Sequence, residues 1–325
     1  MRDGKLDFFK GLLIWSVVLG HTLNALTPAE NVLHSLLRTF DLPMFMYISG
    51  YLLRGSIARH DWKQLILNKF TNIVVPALIW MCISLLFGDK CFYYFLWAVF
   101  VSSVIVCICE KISPTSKMSC LLICSAAVLF HFIPQNVINI SFLYPFFVFG
   151  YFSKNIVQIA RRNGWISFFL FVLLFSCVWQ PDYSIWMSGG YILQNSGYML
   201  KVIILRLIIG MVGIYTVIYF GGGLYDQCER LKLVNQFVGI GKETLSIYLL
   251  QHIIVEILMN RAVKNSDIST FLADNSLLAG YILSPIVSLL LLFLMYGVIL
   301  LIQKTKYTKW LFGFRVTLPS SVIVR

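Results

Sequence analysis

Residues 277–302 read LLAGYILSPIVSLLLLFLMYGVILLI, a run without a single Asp, Glu, Lys or Arg. About 20 mainly apolar residues are enough for a helix to cross the hydrocarbon core of a bilayer. Outward from this run the pattern recurs, as in Gly11–Gly20 and Ile73–Phe87. Over all 325 residues, 59% are hydrophobic and 12% charged. Ordinary soluble domains carry about 25% charged residues. A soluble monomer could not hide so much apolar surface. Soluble enzymes, disordered chains and fibrous proteins are thereby excluded. A membrane β-barrel would show segments of about 10 residues alternating in polarity, whereas these stretches are continuous. The sequence therefore predicts an all-α integral membrane protein of about ten transmembrane helices around a polar central cavity.

The expected spans are 8–26, 35–53, 70–87, 91–109, 118–133, 139–153, 164–180, 201–221, 241–259 and 277–302. Pro134 and Pro145 flank the short fifth and sixth, which suggests broken or tilted helices. With an even span count, 20 of the 26 Lys and Arg residues fall on the side of the two termini. The positive-inside rule then puts both termini in the cytoplasm. The net charge of +12 is thus a topological signal and does not point to nucleic acid. The first apolar segment runs on through His21 and Asn24 with no clean A-x-A site after it, so it reads as a retained span. Residues 1–315 form a single transmembrane domain, and 316–325 a loose cytoplasmic tail. The eight cysteines form no CxxC and no Cys/His ligand spacing, so no metal is expected.

Ionisable groups inside spans are costly unless paired or solvated, which makes them functional candidates. In the first span, Lys10 and His21 are 11 residues apart and project from one helix face, roughly 16 Å apart along the axis. Asp7 lies close to the same line. The pattern gives a carboxylate and an ammonium at the rim and an imidazole at depth. The plainer alternative is a snorkelling lysine and a histidine bonded to a neighbouring carbonyl. A histidine with an ordinary pKa near 6.5 suits a general base acting on a hydroxyl. A cation at the cytoplasmic mouth suits a phosphate-bearing donor.

In the second span, Arg38 and Asp41 are three apart and expected to pair. Pro43 then kinks the helix or starts a new one, and Ser49 with Gly50 allows close helix approach. In the ninth span, Tyr248, His252 and Glu256 recur every four residues as one polar stripe, with Glu256 placed to hold the His252 ring. That stripe reads either as catalytic or as a bonded face between packed helices. Gly239, Gly241 and Lys242 precede it and resemble a phosphate-binding helix start, without full P-loop spacing. Arg206 lies within the eighth span, either paired with an acid or facing a polar cavity. The aromatic residues Trp179, Tyr183, Trp186, Tyr191 and Tyr198 before it read as an interfacial belt or as a platform for a sugar ring.

Four stretches resemble one known family. LDFFKGLLIWSVVLGH, residues 6–21, is similar to the opening of acyltransferase family 3 membrane proteins, where a basic residue precedes His by eleven positions. FDLPMFMYISGYLL (40–53), KFTNIVVPALIW (69–80) and GKETLSIYLLQH (241–252) resemble its later motifs, in the same order. Two positions depart from the pattern: Lys10 stands where Arg is frequent, and Asn72 where another Arg is common. The resemblance implies a bacterial multi-pass inner-membrane O-acetyltransferase. It implies acetyl-CoA as cytosolic donor and a hydroxyl of a glycan or glycolipid as acceptor. Lys10, Lys69 and Lys242 would hold the donor phosphates. His21 would be the base or the acyl carrier. Asp7, Arg38, Asp41, Ser49, Arg206, Tyr248, His252 and Glu256 would support it or line the acceptor side. The expected partners are the acceptor, the lipid bilayer, and a second copy of the chain or a polysaccharide-assembly protein. The competing reading is a membrane transporter or exporter of a glycan or small substrate, with intramembrane charges marking its path. No internal repeat of the kind common in transporters stands out. A third reading is a non-catalytic partner of a polysaccharide synthase.

Overall fold

A computed structural model describes residues 4–27, 31–59, 61–113, 115–129, 139–153, 156–180, 196–264, 268–304 and 309–313. The tail 316–325 and the aromatic positions Tyr183, Trp186 and Tyr191 lie outside them. Among the described residues every regular element is helical. The main helices are α1 (Gly4–Leu26), α2 (Val32–Ile57), α3 (Trp62–Lys69), α4 (Val75–Leu86), α5 (Tyr94–Ile112), α6 (Ser116–Leu129), α7 (Ile140–Phe152) and α8 (Ile156–Cys177). They continue with α9 (Ser196–Cys228), α10 (Lys232–Lys242), α11 (Thr244–Gln251), α12 (Asn260–Lys264), α13 (Ile268–Asp274), α14 (Ser276–Leu278) and α15 (Ser284–Gln303). Among the described residues, five stretches are long and apolar enough to cross a membrane: α1, Trp62–Leu86, α5, Lys201–Cys228 and Ser276–Gln303. Three shorter apolar helices, Ser116–Ala126, Ile140–Phe152 and Asn163–Cys177, stand beside them. The chain is a multi-pass all-α membrane protein.

Several helices differ from their expected extents for local reasons. Pro76 has no N–H to give the Asn72 carbonyl. The ladder there widens into a π turn, Phe70–Val74, that joins α3 and α4 into one rod. Pro285 acts likewise: a π turn at Ala279–Leu283 precedes α15, and Ser284 Oγ donates to Ala279 O at 2.7 Å. Pro43, by contrast, neither breaks α2 nor restarts it; the helix runs unbroken through 26 residues. The expected span 241–259 is three pieces: the end of α10, then α11, then a π turn over His252–Met259.

The hub is α1, whose Phe8, Leu13, Ile14, Val18 and Leu23 are all at most 2% exposed. It packs on α2, α10 and α15, and Trp15 Nε1 donates to Ser288 Oγ at 3.1 Å. Two contacts are made backbone to backbone. A Cβ on Gly241 would overlap the Asp7 carbonyl oxygen, and one on Gly11 the Phe237 carbonyl oxygen, so α10 lies directly on α1. Gly50 and Gly150 join α2 to α7 in the same way, against the Phe147 and Tyr47 carbonyls. Small residues at both faces are what such close membrane packing requires. On the periphery, α8 and α15 turn large apolar side chains outward, among them Ile166, Phe169, Leu290 and Leu301. Such faces suit lipid rather than water.

Candidate active site

The carboxyl-terminal half of α1, the first turns of α2, the 91–94 segment, the start of α7 and the 248–256 segment surround one cavity of about 230 Å³. It therefore sits toward the end of the bundle opposite the amino terminus. His21, Arg38, Asp41, Arg206, Tyr248, His252 and Glu256 all line it. Asp7, Lys10, Ser49, Lys69 and Lys242 do not.

One carboxylate organises the cavity wall. Glu256 Oε1 is 3.0 Å from His21 Nδ1, and Glu256 Oε2 is 3.0 Å from His252 Nδ1. Gln251 Nε2 donates to Oε1 at 3.4 Å. The π turn explains this convergence. In an α-helix Glu256 would reach one turn back to His252; in the wider turn it also meets Gln251, five residues back. Π turns often mark functional sites. An ionised carboxylate only accepts. His21 Nδ1 must then carry the proton, and Nε2 keeps its lone pair. Nε2 makes no hydrogen bond to any described residue. A ring held at Nδ1 with Nε2 open on a cavity is the arrangement of a general base.

His252 is held from both sides. Besides Glu256, its Nε2 lies 2.8 Å from Asp89 Oδ2. Both ring nitrogens face carboxylates, so both donate, and His252 has no lone pair left for chemistry. Its part is to fix Glu256. Tyr93 encloses the ring edge-on at 5.7 Å and anchors itself through its hydroxyl on Leu249 O at 3.2 Å. Arg261 Nη2 donates to Phe87 O at 2.5 Å, which ties the Asp89 loop to α12. Sequence reasoning did not reach Asp89, a loop residue 163 positions from His252. No spacing rule brings the two together.

Other expected sites take different forms. Arg38 and Asp41 do not pair. Arg38 Nε donates to His34 Nε2 at 3.1 Å, one turn back. Asp41 Oδ1 accepts from the adjacent Leu42 N–H at 2.5 Å. That local bond occupies Oδ1, and no ion pair joins the carboxylate to Arg38. Gly241 is accounted for by its backbone crossing with α1. The helix start after Lys242 carries Glu243, whose Oε2 accepts from Gln303 Nε2 at 2.6 Å. Glu243 is thus a buried acid at the helix start that the glycine pair precedes. Lys10 Nζ forms an ion pair with buried Asp7 at 2.6 Å. Lys10, Lys69 and exposed Lys242 lie toward the amino-terminal side, and Ser49 sits beside the Gly50–Gly150 crossing.

Comparison with known proteins agrees with this architecture. The chain is 27% identical to Nodulation protein NolL of Mesorhizobium japonicum over 206 residues, 54% of each chain. It is 24% identical to Nodulation protein NolL of Sinorhizobium fredii over 293 residues, 77% of each chain. The match thus spans about half the length of the first relative. No solved structure matches the chain. Residues 3–304 match the family described as Acyltransferase domain, which includes every cavity residue named above. The chain belongs to acyltransferase family 3.

Proposed function

We propose that the protein transfers an acetyl group from cytosolic acetyl-CoA to a hydroxyl of a bacterial surface glycan or its lipid-linked precursor, with His21 as general base. The observation that carries this reading is the 3.0 Å ion-pair contact between His21 Nδ1 and Glu256, made by a cavity-lining histidine whose Nε2 bonds to no described residue. In this mechanism Nε2 takes the proton of the acceptor hydroxyl. The oxygen attacks the thioester carbon, the C–S bond breaks, and the leaving sulfur takes the proton from His21. Glu256 stabilises the imidazolium that forms between these steps, as an acid does in a hydrolase triad.

The two substrates approach from opposite ends. On this reading Lys10, Lys69 and Lys242, toward the amino-terminal end of α1, hold the donor phosphates, and the acceptor meets His21 in the cavity at the other end. Lys10 and His21 are separated by roughly 16 Å of helix, a distance the pantetheine arm would span. On this reading ten helical segments cross the inner membrane, with both termini in the cytoplasm.

The test is acetyl-CoA cleavage by purified protein in nanodiscs, read as thiol release, with glycan extracted from the source cells as acceptor. His21→Ala is expected to abolish release while acetyl-CoA still binds. Full release by His21→Ala would refute the role. Label retained on wild-type protein in the absence of acceptor would replace direct transfer by a covalent acetyl-His21 route.

A further inference from the structure

Two buried amides on the cavity wall carry oxygens that the acid–base assembly does not use. Gln251 is 2% and Asn139 8% exposed, and both line the cavity that holds His21. Neither Gln251 Oε1 nor Asn139 Oδ1 meets a hydrogen-bond donor among the described residues. A buried acceptor left unmet costs about 1–3 kcal/mol, and the large majority of such groups in folded proteins are satisfied. Two of them on one cavity wall mark it as a place where a ligand brings the missing donors.

The chemistry of the neighbours fixes which end of each amide is unused. Gln251 Nε2 donates to Glu256 Oε1 at 3.4 Å. An ionised carboxylate only accepts, so the amide nitrogen must face it and Oε1 is the free end. Asn139 stands at the N-cap of α7, where an asparagine ordinarily spends its side-chain oxygen on a backbone N–H of the first turn. It makes no such bond here. Its backbone lies instead in the left-handed region, with φ 48°, a conformation asparagine tolerates better than most residues. An amide oxygen accepts and cannot donate. An oxyanion therefore cannot satisfy it, whereas an O–H or N–H group can.

We propose that Asn139 and Gln251 recognise the acceptor: the sugar unit presents one uncharged O–H or N–H donor to each amide oxygen, beside the hydroxyl that gives its proton to His21 Nε2. This rests on the acetyltransfer reading and names its substrate class, a neutral unit with at least two free donors next to the reacting hydroxyl. A unit already substituted at either donor leaves a buried acceptor unmet and is rejected for that reason. Gln251 also ties recognition to the base. Its Nε2 holds Glu256 Oε1, the same oxygen that lies 3.0 Å from His21 Nδ1.

The experiment measures retention of fluorescently end-labelled glycan, extracted from the source cells, on purified protein in nanodiscs. Wild type is expected to bind it saturably. Asn139→Gly accepts the positive φ and removes the amide. It is expected to weaken half-saturation about three- to tenfold, the worth of one neutral hydrogen bond. Asn139→Asp keeps an acceptor oxygen and the tolerance for this backbone, and is expected to bind more tightly than Asn139→Gly. Gln251→Met, of similar length, removes the other oxygen and is expected to weaken binding by a like factor. The same titration with N-deacetylated glycan tells the donors apart: a glycine effect that survives assigns O–H groups, and one that vanishes assigns acetamido N–H. His21→Ala is expected to retain the glycan, so absent thiol release with intact retention would fault the acetyltransfer reading and leave this wall standing. No retention by wild type, unchanged half-saturation in both Asn139→Gly and Gln251→Met, or a loss confined to acetyl-CoA binding would overturn the proposal. So would equal losses in Asn139→Gly and Asn139→Asp, the mark of a purely structural residue.

Discussion

Replacing Glu256 by Gln changes one oxygen to an NH₂ group with almost no change of shape. The carboxylate lies 3.0 Å from His21 Nδ1 and 3.0 Å from His252 Nδ1 as their shared counter-charge. An amide offers one acceptor atom, so only one imidazole keeps its bond. Loss of a hydrogen bond to a charged group alone removes about 1.5–3 kcal/mol, or about 10- to 100-fold in rate. The second effect is larger. An NH₂ facing His21 Nδ1 makes that nitrogen the acceptor and moves the ring proton to Nε2, where the base is needed. General-base assistance contributes about 10²- to 10⁴-fold. The expected result is a fall in kcat of about 10³-fold, roughly 4 kcal/mol, with acetyl-CoA affinity unchanged. The assay is thiol release from acetyl-CoA in nanodiscs, beside equilibrium acetyl-CoA binding and gel filtration to show a folded protein. A Glu256→Gln variant that keeps more than about a tenth of wild-type kcat would refute the coupling of Glu256 to the base.

Two further outcomes follow from the geometry. Asp89→Asn keeps an acceptor opposite His252 Nε2 but loses the charge; because Asp89 is 43% exposed, the expected fall in kcat is only about tenfold, with Asp89→Glu partly restoring it, and an effect confined to acetyl-CoA affinity would move Asp89 out of the base assembly. Gly241→Ala puts a methyl into the Asp7 carbonyl and is expected to destabilise by about 1–3 kcal/mol, whereas Gly297→Ala, with nothing within 4 Å of the added carbon, should leave Tm unchanged; similar Tm values for both variants would show that the α1–α10 contact has slack.

The apolar runs made the fold class legible because crossing a bilayer imposes a long, local pattern. The polar stripe of Tyr248, His252 and Glu256 was legible for the same reason, being set by spacing within one helix. Its meeting with His21 was not, since 235 residues separate the partners in sequence and only packing joins α1 to the π turn. Two π turns lie just before prolines, Pro76 and Pro285, but at His252–Met259 no proline announces one. Arg38 and Asp41 show the limit of spacing rules. Three residues apart permits a pair, yet His34 and the Leu42 N–H offered each of them a nearer bond. The GIGK segment shows the converse, since Gly241, one of the glycines that suggest a phosphate loop, is used to bring two backbones together.

The backbone contact between Gly11 and Gly241 has a consequence for how matter moves through the protein. A helix that lies on its neighbour's carbonyls with no side chains between them has no lubricating layer, and tilting it would pull the two chains apart. Carriers that ferry whole solutes depend on one bundle rocking over another. Here α1 is pinned at one end and carries His21 at the other, so it behaves as a fixed strut. On the proposed function, the sugar and the nucleotide then each remain on their own side, and the acetyl group is the only freight that has to pass.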